Sequence, residues 1–201
     1  MKKITLLLFT LLILTSNVQA QSAKEMLAAI EGKWQLDDNE NVTVFKVVEI
    51  PELTKDEIFN RVLNYFTYNY GNGKSVIQTQ DKENGLIVGK GVYDNVHIGM
   101  SLITTYVDAW HILREDIKEG RARIIVSLTE YDKKIVGGDS PPAYSTMKVA
   151  QQYPIYEKGS QKTVMTKAFY KAFMKANASL DAVEKAMKEG NTSKAIENSG
   201  W

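Results

Sequence analysis

The stretch "DKENGLIVGKGVYDN", residues 81–95, decides between two kinds of fold because it places Gly89 and Gly91 on either side of a lysine. A phosphate-binding loop needs such glycines at a turn between a strand and a helix, where backbone N–H groups and the helix dipole face the anion. Here β-forming residues surround both glycines, and the next long segment is again β-forming. The context therefore predicts a strand over 86–93 and argues against a nucleotide-binding loop.

The two glycines also predict a close approach by another element. Successive side chains along a strand point to opposite faces, so Gly89 and Gly91 share one face with Ile87 and Tyr93. Two glycines on one face remove side-chain bulk and permit a bend or a close contact at that point. A sheet that curves around a helix fits this pattern.

The rest of the chain predicts one α+β domain over 41–190, preceded by an arm at 21–40 and followed by a loose tail at 191–201. The helix at 53–71 has the strongest signals, because Thr54 and Glu57 form a capping box and apolar residues recur every three to four positions. The predicted elements are a short helix after Ser22, a strand at 41–50, the helix at 53–71, strands at 75–80, 86–93, 101–116 and 121–131, an irregular segment at 132–162, and a helix at 165–190. The alternative to one continuous last helix is a break near 177–179, with Ser179 capping a second piece.

The first twenty residues, "MKKITLLLFTLLILTSNVQA", have the pattern of a secretory signal that is cleaved after Ala20. Two lysines precede an apolar run at 4–14, which is too short for a membrane-spanning helix of about 20 residues. A retained membrane anchor is the alternative. The chain has no cysteine, so it can form neither a thioether-linked lipid anchor nor a disulfide.

The charge balance argues against nucleic acid as a partner. Removal of Lys2 and Lys3 with the signal reduces the 25 basic residues to 23, against 24 acidic ones. Binding to nucleic acid depends on a basic surface that releases counterions. The exported chain has no such overall excess.

Three local motifs resemble one protein family. "KDEIFNRVLNYF" (55–66), "DKENGLIVGKG" (81–91) and "DIKEGRARI" (116–124) are together similar to a secreted bacterial domain-of-unknown-function family with a TATA-box-binding-protein-like (TBP-like) fold. The resemblance spans about 42–131, although Glu119-Gly120 replaces the usual aspartate-glycine turn and Leu86 stands where a polar residue is common. It implies a β-α-β-β-β-β-α order, with a curved antiparallel sheet packed against helices, and an envelope location. It implies no activity, since fold does not fix function.

The residues that could carry chemistry form no recognisable set. His97 and His111 are the two histidines of the sequence, and no cysteine accompanies them, so we predict no metal site and no cofactor. Ser140 lies in "GGDSPP", without the strand–serine–helix elbow of a nucleophile. The acidic pairs Asp37-Asp38 and Glu115-Asp116 are interpreted as solvated turn residues. We therefore predict no catalytic residue.

A binding surface is the remaining prediction. The strand at 101–116 carries large apolar groups on both faces, so one layer of helices leaves some of them uncovered. An uncovered aromatic face usually marks a ligand groove or a protein interface. Tyrosines of the 132–162 segment could fold over this face, or the segment could bury them as ordinary core. The candidate residues are Tyr106, Trp110, Tyr144, Tyr153 and Tyr156.

These observations predict an exported, non-catalytic binding module of the bacterial cell envelope. Its partner would be an unknown protein or small-molecule ligand, with no nucleic acid, no cofactor and no membrane anchor. Two alternatives stay open: an envelope hydrolase that uses the 132–162 loop, and a structural subunit of an envelope assembly.

Overall fold

The computed structural model describes residues 22–69 and 76–190. The predicted secretory signal, its cleavage after Ala20 and the predicted tail at 191–201 lie outside the described residues. The elements are α1 (Ala23–Ile30), β1 (Gln35–Leu36), β2 (Val42–Glu49), α2 (Lys55–Asn69), β3 (Val76–Asp81), β4 (Leu86–Met100), β5 (Thr104–Lys118), β6 (Arg121–Val136), β7 (Ala143–Lys148), a short 3₁₀ turn (Val149–Gln151) and α3 (Lys162–Glu189). Among these described segments, no helix combines the length and apolar character needed to cross a bilayer.

The described strands form one seven-stranded antiparallel sheet in the order β1-β2-β6-β5-β4-β3, with β7 beside β6. β6 is long enough to pair with two strands on one side, since residues 121–128 pair with β2 and 130–135 pair with β7. Its other side pairs with β5 along almost its whole length. The predicted order of strand, helix, four strands and helix is therefore confirmed, with β1 and β7 added at the edges.

Helices cover one face of this sheet and form the core with it. α3 buries an apolar stripe that includes Met165, Phe169 and Leu180, while α2 buries Ile58 and Phe59. The predicted capping box also opens α2, because the Thr54 backbone N–H donates to Glu57 Oε2 at 2.9 Å and the Glu57 N–H donates to Thr54 Oγ1 at 3.3 Å. The predicted α+β class, with an antiparallel sheet packed against helices, is confirmed.

The glycines of the opening stretch lie within β4, as predicted. Gly89 pairs with Leu113 of β5 and with Ile77 of β3, so the segment is a central strand and not an anion-binding turn. A Cβ atom on Gly89 would overlap the ring of Phe66 from α2. The absence of a side chain here allows α2 to lie directly on the sheet.

The prediction of an irregular segment at 132–162 is wrong for the first half of that segment. β6 continues to Val136, and β7 then pairs with the continuation from Glu130 to Ile135. The Pro141-Pro142 pair marks only the turn between these two strands. The glycine and proline clusters of this segment suggested a loop throughout, but the cluster at 137–142 is confined to the turn between the two strands.

Two further boundaries differ from the prediction. β4 runs on to Met100 through a bulge between Tyr93 and His97, where Asn95 adopts a φ of 45°. The predicted strand at 101–116 consequently begins three residues later, after the turn. The break near 177–179 does not occur, because Asn177 donates to a backbone carbonyl of its own helix and the buried stripe of α3 continues past it.

Candidate functional site

The sheet has one face beneath the helices and one face without them. Along β5, Val107 and Leu113 are completely buried on the helix side, whereas Tyr106 and Trp110 on the other side are partly exposed. This alternation follows from the two-residue period of a strand. We call the second side the open face. Its apolar residues include Phe45, Val47, Val88, Val92, Ile98, Tyr106, Trp110, Ile112 and Ile125.

An apolar stripe that is interrupted by Arg114 crosses the open face. The strand register places Phe45 of β2 opposite Ile125 of β6, which in turn lies opposite Arg114 of β5 and thereby next to Val88 of β4. Phe45 is 54% exposed, and its neighbour Val47 is 53% exposed. Large apolar side chains with more than half of their surface in water are energetically costly unless a partner covers them.

A depression of about 570 Å³ lies beyond this stripe, where β5, β6 and β7 meet. Its walls include the rings of Tyr106 and Tyr144, and the Lys134 Nζ atom lies 5.7 Å from the first ring centroid and 5.9 Å from the second. A cation held over two aromatic rings is a favourable arrangement. Lys134 therefore holds the two tyrosines on either side of the depression.

Two carboxylates line the same depression and hold its walls in place. Asp132 accepts hydrogen bonds from Trp110 Nε1 at 2.6 Å and from Thr146 Oγ1 at 2.5 Å, which ties β5 to β7 across β6. Asp108, directly opposite Asp132, accepts a hydrogen bond from the Asn95 backbone N–H in the bulge of β4. These contacts orient aromatic rings and hydroxyls for binding.

The structure brings together three of the five predicted site residues. Tyr106 and Trp110 lie on the open face, and Tyr144, which is 71% exposed, joins them from β7. Tyr153 instead packs against the core with Lys162 Nζ 5.1 Å from its ring centroid. Tyr156 lies in a separate depression beside β1. The segment after β6 thus extends the sheet with β7 and does not fold over the aromatic face.

Sequence reasoning missed the contributions of β2 and of the lysines to this surface. Phe45 and Val47 alternate with the buried Val44 and Val48, so the two-residue period within 41–50 was the signal that could have found them. Lys90 is a similar case, since its Nζ lies 4.8 Å from the Trp110 ring centroid. A cation–π contact between strands depends on register, which the sequence did not specify.

Two titratable residues of β5, His111 and Glu115, are buried on the helix side, and burial favours the neutral form of each. The His111 ring stacks on Tyr93 with a centroid distance of 3.9 Å, and burial lowers the pKa of His111 to about 3. Burial also raises the pKa of Glu115 well above its ordinary value, and the neighbouring Asp116 carboxylate adds to the increase. The interpretation of Glu115-Asp116 as solvated turn residues is therefore wrong, because both lie within β5 and Glu115 is completely buried.

Asp116 belongs to an ion cluster on the open side of β5. Its partial burial opposes ionisation, but hydrogen bonds from Arg123 and Arg114 outweigh that effect and lower the pKa of Asp116. Arg123 Nη2 lies 2.6 Å from one carboxylate oxygen and Arg114 Nη2 lies 2.8 Å from the other. Asp116 is therefore charged, and both of its carboxylate oxygens are paired with arginines.

Ser140 lies exposed in the turn between β6 and β7. Within the described ranges, no hydrogen bond joins its hydroxyl to a histidine or a carboxylate. The described residues also contain no group of three histidine or acidic side chains close enough to hold a metal ion.

Comparisons with known proteins agree with this architecture. The described fold is similar to a crystal structure of a TBP-like protein from Parabacteroides distasonis, with a TM-score of 0.59 and 18% sequence identity over 78% of this chain and 98% of that chain. A crystal structure of a DUF4468 family protein from Bacteroides ovatus has a TM-score of 0.49 and 16% identity, over 81% of this chain and 95% of that one. No curated protein matches the chain.

The family comparison covers the central part of the chain, from the middle of β2 to the distal half of β6. The sequence from 45 to 130 matches one family model. The description of that model names the fold and states that the function is unknown. The three motifs that carried the resemblance lie within this range. Residues 45–130 thus match the model of a family described as a domain of unknown function (DUF4468) with TBP-like fold.

Proposed function

We propose that the protein is an exported, non-catalytic binding module whose open face engages a protein partner or a small ligand. The observation that carries this proposal is the exposure of Phe45 and Val47 beside Ile125, at one end of the apolar stripe. Soluble proteins rarely leave contiguous apolar surface uncovered without a binding role. Export rests on the signal-like sequence at 1–20.

The composition of the open face resembles the centre of a binding interface. Aromatic residues and arginines are enriched among the residues that contribute most to binding energy, and Trp110, Tyr106 and Arg114 occupy the middle of this face. Trp110 is held by Asp132, and Tyr106 is held by Lys134. A preoriented aromatic side chain loses less entropy when a partner binds.

The two alternative functions have different support. A hydrolase using the segment after β6 would need a base beside Ser140, and the described contacts of that turn supply none. A structural subunit of an envelope assembly would use the same open face, so it differs from a ligand-binding module in its partner and not in its surface.

Site-specific photo-crosslinking in cells tests the proposal. A benzophenone amino acid replaces Phe45 in one variant and Tyr68 in the other; Tyr68 is the matched control because it is 70% exposed on α2, outside the open face. We expect a defined adduct only from position 45. Equal adducts from both positions, or none from position 45, would contradict the proposal.

The identity of the adduct separates the alternatives. If the adduct contains one envelope protein in a fixed stoichiometry, the protein is a structural subunit. If a soluble extract fraction abolishes the adduct, a small ligand competes for the open face. A hydrolase screen with Ser140→Ala as control addresses the enzyme alternative, since only an activity that disappears in the variant would support it.

A further inference from the structure

A second candidate site lies at the opposite side of the sheet, where α3 begins. A cavity of about 480 Å³ separates the first turns of α3 from the end of the β4–β5 hairpin. Its polar lining includes His97, Thr105, Lys162, Thr163 and Lys167, none of which belongs to the open face. Ile98 and Met100 also line the cavity, and they pair with Tyr106 and Thr104 on the open-face side.

The beginning of α3 is electrostatically positive and has no internal compensation. The residue before the helix, Gln161, has a φ of 52° and provides no side-chain cap, and the first turn contains no acidic residue. The first backbone N–H groups of a helix are left without intrahelical partners and carry partial positive charge. From Lys162 to Ser179 the sequence has four lysines and no carboxylate. Positive charge accumulates where an acidic residue is normally favoured.

His97 lines this cavity with an imidazole that is almost completely buried. Its side chain is 9% exposed, and its Nδ1 atom is buried without a hydrogen-bond partner in the described chain. Its Nε2 atom lies 3.8 Å from the point where a Cβ on Gly99 would stand, and Gly99 lines the same space. Burial, together with the charges of Lys171 and Lys167, lowers the pKa of His97. A neutral imidazole beside ammonium groups can donate one hydrogen bond to an anion.

The hairpin next to the cavity ends in an exposed apolar tip. Leu102 is 99% exposed and Met100 is 82% exposed, with Ile98 and Ile103 about two-fifths exposed beside them. The tip itself carries no charge. The adjacent β6–β7 turn contains one acidic residue, Asp139. Apolar side chains beside lysines are typical of surfaces that lie on anionic membranes.

We propose that this end of the molecule binds the surface of an anionic phospholipid membrane, with a lipid phosphate in the cavity at the start of α3. The first-turn N–H groups, Lys162 and Lys167 contact the phosphate oxygens, and His97 donates to one of them. Met100 and Leu102 enter the acyl region beside the headgroup. The protein lies on the membrane through this contact and does not span it.

Vesicle co-sedimentation tests the proposal. The protein is produced without residues 1–20, whose apolar run would itself bind lipid, and is mixed with phosphatidylcholine vesicles that contain or lack phosphatidylglycerol. We expect binding only to the anionic vesicles. Lys162→Gln and Lys167→Gln each weaken it by about fivefold, and Met100→Ser with Leu102→Ser weakens it by at least about tenfold.

Matched variants separate this site from the rest of the molecule. Lys185→Gln removes the same charge from the other end of α3, and Phe45→Ser removes an exposed apolar group from the open face; both should leave vesicle binding unchanged. Loss of binding in Phe45→Ser would assign the membrane contact to the open face and overturn the inference. Equal binding to neutral vesicles would overturn it as well.

A second experiment, carried out in solution without vesicles, distinguishes a lipid headgroup from free phosphate as the ligand. Glycerol phosphate and inorganic phosphate are titrated while the His97 ring resonances are followed by NMR. Weak shifts that disappear in Lys167→Gln, combined with strong vesicle binding, support a lipid headgroup. Tight binding of inorganic phosphate without vesicle binding would overturn the membrane assignment.

Discussion

At the residue scale, the Phe66 ring fills the space that a side chain at position 89 would need, at the point where β4 passes beneath α2. A side chain at position 89 would overlap that ring, and the neighbouring backbone is paired on both sides. Gly89→Val should therefore lower the free energy of unfolding by about 1–3 kcal/mol, the usual cost of overpacking. Urea denaturation monitored by circular dichroism measures this change.

A double-mutant cycle identifies Phe66 as the cause. If the ring is what position 89 encounters, Phe66→Leu should restore part of the stability lost by Gly89→Ala, so that the two substitutions cost less together than separately. Additive costs, or a neutral Gly89→Val, would mean that α2 does not press on the sheet at this point.

Glu115 is the residue whose burial conflicts most with its chemistry. Neither carboxyl oxygen has a hydrogen-bond partner in the described chain, and burial holds its pKa well above the usual range. The folded state therefore keeps a proton that the unfolded state releases above about pH 4.5. The stability contributed by the neutral carboxyl is complete below that pH and is lost as pH rises toward the folded-state pKa.

Glu115→Gln should remove this pH dependence. Over the interval between the two pKa values, the variant should gain about 1.4 kcal/mol per pH unit relative to the unchanged protein. Denaturation curves for both proteins between about pH 5 and 8 measure the difference. Glu52→Gln, in an exposed turn, is the control and should follow the unchanged protein. A constant difference across pH would show that Glu115 is ionised in the folded state.

At the scale of elements, the sequence predicted the strands and helices wherever burial produced a regular pattern. The capping box at Thr54 and Glu57 and the alternation along β5 both appear in the structure as expected. β7 was missed because all but one of its residues are exposed, so no alternation marks it as a strand. Its formation depends on the distal half of β6, a tertiary contact that no local pattern contains.

The contact between α2 and the end of α3 is a second tertiary feature with a testable consequence. Arg61 Nη1 donates to the carbonyl oxygens of Met187 at 2.7 Å and Lys188 at 2.9 Å, which have no partners within the last turn of their own helix. Arg61→Met should lower the free energy of unfolding by about 1–2 kcal/mol and speed amide hydrogen exchange in the last turn of α3. Arg61→Lys keeps the charge but loses the planar fork, so we expect an intermediate effect. Unchanged exchange in Arg61→Met would mean that this cap contributes nothing.

At the scale of the whole molecule, the candidate site was predicted in part. The face shared by Tyr106 and Trp110 followed from strand period alone, and Tyr144 reached the same surface through β7. Tyr153 and Tyr156 did not, because the chain after β7 turns away toward α3 and β1. Position along a strand can be read from sequence, whereas the path of a connecting segment depends on packing between distant elements.

The final prediction concerns two adjacent residues of β2. Substitution of Val44 should affect stability, whereas substitution of Phe45 should affect binding at the open face. Val44 is 7% exposed beneath the helices, and Phe45, next in sequence, is 54% exposed on the other side. Val44→Thr buries an unpaired hydroxyl and should cost about 1–3 kcal/mol. Phe45→Thr replaces one residue of high β-propensity with another, which is β-branched, and should change the free energy of unfolding by less than about 0.5 kcal/mol. Thermal denaturation of both variants measures the contrast, and capture by a benzophenone placed at Val47 measures the effect on binding. If Phe45→Thr retains its stability and loses capture, the aromatic group serves a partner; if it unfolds as readily as Val44→Thr, the face is ordinary core and the proposed binding surface does not exist.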